Sequence, residues 1–216
     1  FHVVRWDGGT WKERRVTISP EGKFLWEEDH EITDPRLAAS LAPLGEDFPA
    51  GYTTEVRINY GEFLAPLTRV LTSGLLLWPD YGFARPEYYH PARTTGTLRT
   101  FSRHRAAEDP LAAPGEMDIT AHVDFTAVAE AAIALGCVPL VFRNQGAWLT
   151  ENGRDWLLSM EGNPDPEAFR QFRTLTHPAH LGGSFHMLEL AWNKQGATCP
   201  EGERHRLALR ACGPSA

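Results

Sequence analysis

Asp118-Ile119-Thr120-Ala121-His122-Val123-Asp124 places acids and an imidazole side by side, immediately ahead of a helical pattern. Histidine changes charge near neutral pH, so His122 can serve as base, acid or hydrogen-bond donor. Asp118 can grip a cation. Asp124 stands where a helix N-cap belongs, its carboxylate placed to accept the amide of Ala127. Upstream, the apolar run Leu75–Trp78 passes through Pro79 into Asp80-Tyr81-Gly82. In an open α/β sheet, ligands bind beyond the carboxyl ends of the strands, so an acid at Asp80 points at such a cleft. Its competing role is to cap the following turn. Tyr81 offers a ring face and a hydroxyl, or packs at the sheet rim. Glu55, ahead of the next helical pattern, is either a cleft acid or a surface charge.

Between these acids lies Phe83–Gly115, which has no sustained period and carries Arg85, Arg93, Arg99, Arg103 and Arg105 with His90 and His104. It is the one basic cluster in a chain of formal net charge -7. Guanidinium forks clamp carboxylate or phosphate in a bidentate manner. The alternative is a solvated surface paired with Glu87, Glu108 and Asp109. His122 and Asp124 with His177, His180 or His186 supply the residue types of a two-His-one-carboxylate iron site. That set belongs at the end of a strand in an all-β barrel, whereas here it runs into an Ala-rich helix, and no metal is expected. His177-Pro178-Ala179-His180 reads as a turn. There is no G-x-G-x-x-G, P-loop or glycine-rich turn after a strand.

The elements that must position these groups alternate. Asp7-Gly8-Gly9 predicts an N-terminal β-hairpin joining His2–Trp6 to Trp11–Ile18, with Lys23–Trp26 as a third strand. Pro35–Leu44 predicts a short helix. A helix after an Asn59 cap would put Phe63, Leu64, Leu67, Val70 and Leu71 on one buried face. Leu75–Trp78 reads as a strand covered on both sides. A helix from Asp124 to Leu135 turns Phe125, Val128, Ala132 and Leu135 inward and stops at Gly136. Val138–Arg143 is a strand, Asp165–Leu175 a helix, and Phe185–Trp192 with His205–Ala211 a terminal antiparallel hairpin. The fold class is therefore α/β.

The 216 residues, 42% hydrophobic and 23% charged, are those of an ordinary globular protein. They form a single domain with a long functional loop over residues 83–116. The acidic balance argues against nucleic acid as a partner. Cys137, Cys199 and Cys212 are widely spaced, without a CxxC, and read as reduced thiols. Val128–Phe142 is interrupted by Glu130 and Pro139 and too short to span a bilayer. Phe1-His2-Val3-Val4 starts like a strand without an initiator Met, and is expected to continue a longer polypeptide.

Several blocks form a pattern when taken together. Val4-Arg5-Trp6-Asp7-Gly8-Gly9, Thr54-Glu55-Val56, Asp80-Tyr81-Gly82-Phe83 and Glu87-Tyr88-Tyr89-His90-Pro91 open it. Gly96-Thr97-Leu98, Arg103-His104-Arg105, Asp109-Pro110, Pro114-Gly115, Asp118–Phe125 and His177-Pro178 complete it. Over roughly Val3 to Leu190 the chain resembles the MidA family of class I S-adenosylmethionine-dependent methyltransferases. It departs from that family at Pro79, where apolar residues usually run directly into Asp-Tyr-Gly, and at Leu181-Gly182 and Phe185-His186.

The resemblance implies the C-terminal part of a Rossmann-like methyltransferase sheet. It implies symmetric dimethylation of a protein arginine, with a respiratory complex I subunit as the type of partner, and no membrane span. S-adenosylmethionine would be the cofactor, held by residues expected upstream of Phe1, so that this part alone would be inactive. Bacterial members would be cytoplasmic and eukaryotic relatives mitochondrial. Asp118, His122 and Asp80 become the catalytic candidates, and Glu55, Tyr81, Asp124 and Arg93 the substrate-binding ones. The rival function is a non-enzymatic assembly module that binds a partner through the 83–116 loop; an iron oxygenase ranks behind it.

Overall fold

The computed structural model describes residues 1–102, 105–107, 109–162 and 165–193. Strands β1 (His2–Trp6), β2 (Trp11–Arg14), β3 (Val16–Ile18), β4 (Phe24–Trp26) and β5 (His30–Glu31) precede α1 (Pro35–Leu41). Then come β6 (Thr53–Val56), α2 (Tyr60–Val70), β7 (Ser73–Phe83), α3 (Arg85–Tyr88), β8 (Arg99–Ser102), β9 (Arg105–Ala107) and β10 (Asp118–Thr120). The chain continues through β11 (Val123–Asp124), α4 (Phe125–Ala134), β12 (Val138–Asn144), α5 (Gln145–Asn152), α6 (Arg154–Ser159), α7 (Pro166–Thr176), α8 (Leu181–Ser184) and β13 (Phe185–Asn193). Backbone contacts divide it into two compact units, 1–59 with 86–122, and 60–85 with the residues from 123 onward.

The first unit is built on a sheet of order β5-β2-β1-β6. Its hairpin forms as the Asp-Gly signal requires. Trp6 pairs with Trp11, and the Asp7 carboxylate accepts the amides of Gly9 and Thr10 at 2.9 and 2.8 Å while Gly8 takes φ of 107°. Trp11–Ile18 is not one strand. It breaks at Arg15, and β3 pairs with β4 in a separate two-stranded sheet, so Lys23–Trp26 does not extend the hairpin. An aromatic cluster fills the interior: Trp6 on Trp11, Trp11 on Phe48, and Phe48 on Tyr52 at centroid distances of 5.3, 5.1 and 4.6 Å. The aperiodic stretch after Phe83 holds α3, β8 and β9, the strands joining β10 in a sheet of order β10-β8-β9. No period was visible because strands of three or four residues are too short to show one.

The second unit has a mixed sheet of order β11-β7-β13-β12, in which β11 runs parallel to β7 and the other neighbours are antiparallel. One face of this sheet carries α4, whose Phe125, Val128 and Ala132 are fully buried with Leu188 and Leu190 of β13 and Leu64 of α2. Asp124 caps α4 through the amide of Ala127 at 3.1 Å, and Gly136 ends it at φ of 88°.

Two expectations fail here. The stripe that α2 buries is Tyr60, Leu64 and Thr68, whereas Phe63 and Leu67 are exposed and Val70 is 79% exposed. A helix presents one narrow line to its neighbour, and α2 meets α4 along the i, i+4, i+8 line. Leu75 and Leu77 likewise alternate outward at 54% and 42% exposure, so β7 is covered on one side only among the described residues. Pro79 does not shift the register: β7 and β13 pair without a break from Ser73 with Asn193 to Tyr81 with Phe185. Helices α5 and α6 were not anticipated; the α5 signal was Asn144, which caps it through Ala147 at 2.8 Å. The expected strand His205–Ala211, with Cys199 and Cys212, lies outside the described residues, as do Arg103, His104 and Glu108. Cys137 is buried, and burial pushes its thiol upward.

Candidate functional site

Each unit holds one buried carboxylate that organises its surroundings. In the first, Glu55 is the penultimate residue of β6, at 3% exposure. Its Oε2 accepts the amide and hydroxyl of Thr97 at 2.9 and 2.8 Å and the Tyr88 hydroxyl at 3.5 Å, and its Oε1 accepts the Leu98 amide at 3.0 Å. A carboxylate with this many donors is fully served. Gly96 lies against it, since a Cβ there would come within 2.4 Å of Oε1. The Thr97 hydroxyl also accepts the amide of His122 at 3.0 Å. Glu55, the Gly96-Thr97-Leu98 turn and the backbone of His122 therefore form one connected array.

Asp118 opens β10, exposed, in register with Phe101 of β8. Alternation puts Thr120 on its face of the ribbon, and the Thr120 hydroxyl donates to the Arg99 carbonyl at 3.3 Å. Arg93 is half-buried, its Nη2 donating to the Glu87 carbonyl at 3.4 Å. Beside it Tyr52 is fully buried, and burial pushes its phenol up to about 12.

In the second unit, the pairing of β7 with β13 sets Asp80 directly opposite His186. Residues opposite one another in an antiparallel pair share a face. His186 stacks on Phe142 at 5.2 Å and 16°, while the Tyr81 ring lies 3.9 Å from that of Phe185. Asp80 also accepts the amide of Tyr81 at 2.8 Å. Strand β7 continues past Asp80 to Phe83, so Asp80 neither ends the strand nor caps a following turn, as either sequence reading expected; it stands inside the ladder on the face it shares with His186.

Asp124, buried, has Nε of Arg85 at 3.6 Å in addition to its cap. Arg85 places its two terminal nitrogens on the two oxygens of Glu130, and its amide donates to the Thr126 hydroxyl at 2.9 Å. Burial pushes the Asp124 carboxyl up to about 6 despite the opposing pull of Arg85. Arg85 is therefore buried and shared between Asp124 and the half-exposed Glu130, rather than part of a solvent-facing basic cluster. Sequence reasoning passed over Thr97, Tyr88 and Glu130. Glu130 stood out as a lone acid in an apolar helix, but its side chain is 49% exposed, so nothing in sequence required a cation beside it.

Among the described residues no three His, Cys, Asp or Glu side chains gather to hold a metal, so the iron-site combinations of His122, Asp124, His177, His180 and His186 do not form. The His177 and His180 rings lie 5.4 Å apart across the expected turn. None of the strand-to-helix connections after β5, β6, β7, β11 and β12 contains a glycine. Close backbone approach to a nucleotide-like cofactor needs such a turn. The described connections supply no turn of that kind, and no cofactor contact is assigned to them. Among the described residues no helix is long and apolar enough to cross a membrane.

The chain is 33% identical over 126 residues to the mitochondrial protein arginine methyltransferase NDUFAF7 homolog of Drosophila melanogaster, covering 54% of this chain and 26% of the relative. It is 34% identical over 129 residues to rat mitochondrial protein arginine methyltransferase NDUFAF7, covering 55% and 27%. A Burkholderia thailandensis protein described as a "likely methyl transferase", solved bound to S-adenosyl-homocysteine, superposes with a TM-score of 0.76 at 32% identity. That match covers 92% of this chain and 51% of the other. The chain thus spans about a quarter of the curated relatives and half of the solved one. The family profile described as "Putative S-adenosyl-L-methionine-dependent methyltransferase" matches residues 1–143, so that S-adenosylmethionine is the cofactor that goes with it. Motifs, mixed α/β structure and profile coincide, and the chain belongs to this methyltransferase family.

Proposed function

We propose that the protein methylates an arginine side chain of a protein acceptor, as the names of the curated relatives suggest, and that this chain carries residues that handle the acceptor. The finer reading is symmetric dimethylation of a respiratory complex I type subunit, in the mitochondrion for eukaryotic proteins and in the cytoplasm for bacterial ones. S-adenosylmethionine supplies an electrophilic methyl group when bound. Arginine stays protonated in water, so a methyl-accepting guanidinium must be gripped and relieved of a proton.

One observation carries the assignment: the chain of bonds from buried Glu55 through Thr97 to the amide of His122. It fixes the backbone that bears the imidazole. Such positioning accounts for much of enzymatic rate. In this reading Glu55 acts on substrate binding by holding that backbone. Asp118, exposed two residues ahead of Thr120, offers a carboxylate to the planar fork. His122 takes the proton, directly or through a water. Arg93 binds an acidic part of the acceptor. In the second unit, Asp80 is proposed as a catalytic carboxylate with Tyr81 and Asp124 in support of binding.

The test uses the longest form of the protein in which methyl transfer is observed, with acceptor methylation followed by mass spectrometry. His122→Ala should fold, retain cofactor affinity and lower turnover by roughly 100-fold or more. Asp118→Asn should lower turnover with a raised KM for the acceptor. Full turnover in both variants would remove this constellation from the mechanism.

A further inference from the structure

Within the first unit a cavity of about 530 Å³ opens in the basic loop, lined by His90, Arg93, Thr94, Thr95, Gly96 and Arg99. Among the described residues the only carboxylate on its wall is that of Glu87, which is exposed. Two guanidiniums, an imidazole and two hydroxyls face a single acid, so the cavity has donors in excess and a positive bias. Nδ1 of His90 accepts the amide of Ala92 at 3.2 Å, which leaves the ring proton on Nε2 as a donor. Nη1 of Arg99 donates to the Leu98 carbonyl at 2.6 Å, holding the fork at the rim.

The wall is set in place beforehand. The amide of Arg93 donates to His90 and that of Gly96 to Arg93, at 2.8 and 3.1 Å, closing two successive turns. Thr53 of β6 donates to the Thr94 carbonyl at 2.9 Å. Gly96 takes φ of 67° and rests on the Glu55 carboxylate, which holds the next two amides. A side chain larger than hydrogen would be excluded from that position. Groups already ordered lose little entropy when a ligand arrives.

We infer that this cavity is an oxyanion site, taking a carboxylate or phosphate group against Arg99, Arg93 and the hydroxyls of Thr94 and Thr95. The inference rests on the methyltransferase reading only for the source of the group, which is then an acidic side chain of the protein acceptor. A free small anion is the other source.

Isotope-labelled chain is titrated, without methyl donor, with inorganic phosphate, with glutarate and with a short aspartate-rich peptide. Saturable amide shifts are expected at Thr95, Gly96 and Arg99, with roughly millimolar affinity for the small anions. Arg99→Gln should weaken binding about tenfold, and added salt should weaken it further. Thr95→Val, on an exposed side chain, serves if Arg99→Gln perturbs the fold, and should weaken binding severalfold. Peptide binding at least about tenfold tighter than glutarate assigns the group to a protein, and equal affinity assigns it to a small molecule. Either supports an anion site. No saturable shift, or shifts untouched by both substitutions, overturns it. Methyl transfer that fails in a form of the protein as long as its relatives, while anion binding persists, would sink the proposed activity and leave this site standing.

Discussion

Glu55 and Asp124 are both acids with almost no exposed surface, yet the two units satisfy them by opposite means. Glu55 is surrounded by neutral donors: two amides, a threonine hydroxyl and a phenol. Asp124 has one amide and a guanidinium that is shared with Glu130. Its carboxyl is pushed up to about 6 by burial, so it gains a proton under mild acid. A carboxylate ringed by N–H and O–H groups uses both of its oxygens as acceptors, which a carboxamide cannot reproduce. A carboxylate that caps a helix beside a shared cation can be neutralised at small cost. The first arrangement locks a loop, and the second tethers a helix.

The largest expected effect falls on the neutral-donor side. Glu55→Gln should destabilise the first unit by roughly 3 kcal/mol, because both oxygens accept N–H groups and a carboxamide can serve only one. Urea unfolding and faster hydrogen exchange at Thr97 and Leu98 would measure it; wild-type exchange at those amides would erase the contrast. The two close-approach glycines come next. Gly96→Ala adds strain at φ of 67° to a clash with Glu55, and Gly82→Ala brings a methyl within 2.2 Å of the Val123 carbonyl oxygen. Each should cost roughly 2 kcal/mol, the second by parting β11 from β7.

Arg85→Gln probes the cationic side through pH. The Asp124 carboxyl sits above its ordinary 3.8 in the folded protein. Its contribution to stability is therefore fully present below about pH 4 and is lost as pH rises to about 6. Removing Arg85 raises that carboxyl further, so the variant should lose about 2 kcal/mol at pH 7 and distinctly less at pH 5. Equal losses at both pH values would mean that Asp124 is charged throughout. The smallest change belongs to Asp124→Asn, under about 1 kcal/mol, since asparagine caps a helix nearly as well. A loss rivalling that of Glu55→Gln would show the two acids to be alike.

Elements with strong local signals were legible in the chain. Asp7-Gly8 wrote the first hairpin, Asp124 and Gly136 bounded α4, and Asp165 opened α7, because turn and cap chemistry acts within a few residues. Burial was less legible. The apolar pattern pointed to a face through Phe63, Leu64, Leu67, Val70 and Leu71, and only packing against α4 chose Tyr60, Leu64 and Thr68. Leu75 to Trp78 read as covered on both sides for the same reason. The short strands β8 and β9 gave no period at all.

Among the candidate site residues, chemical type was fixed by the amino acids themselves: acids at Asp80, Asp118 and Asp124, an imidazole at His122, a basic loop around Arg93. Family membership likewise followed from the linear motifs of the central segment, which the profile match bears out. What each group touches was decided by tertiary structure alone. Nothing near Glu55 in sequence announces Thr97, Leu98 or Tyr88 as its partners, and nothing near Arg85 announces Glu130. Local preferences act over a turn or two of chain. The field and hydrogen bonds that give a carboxylate its role come from residues some forty positions away in sequence, brought there by burial of the core.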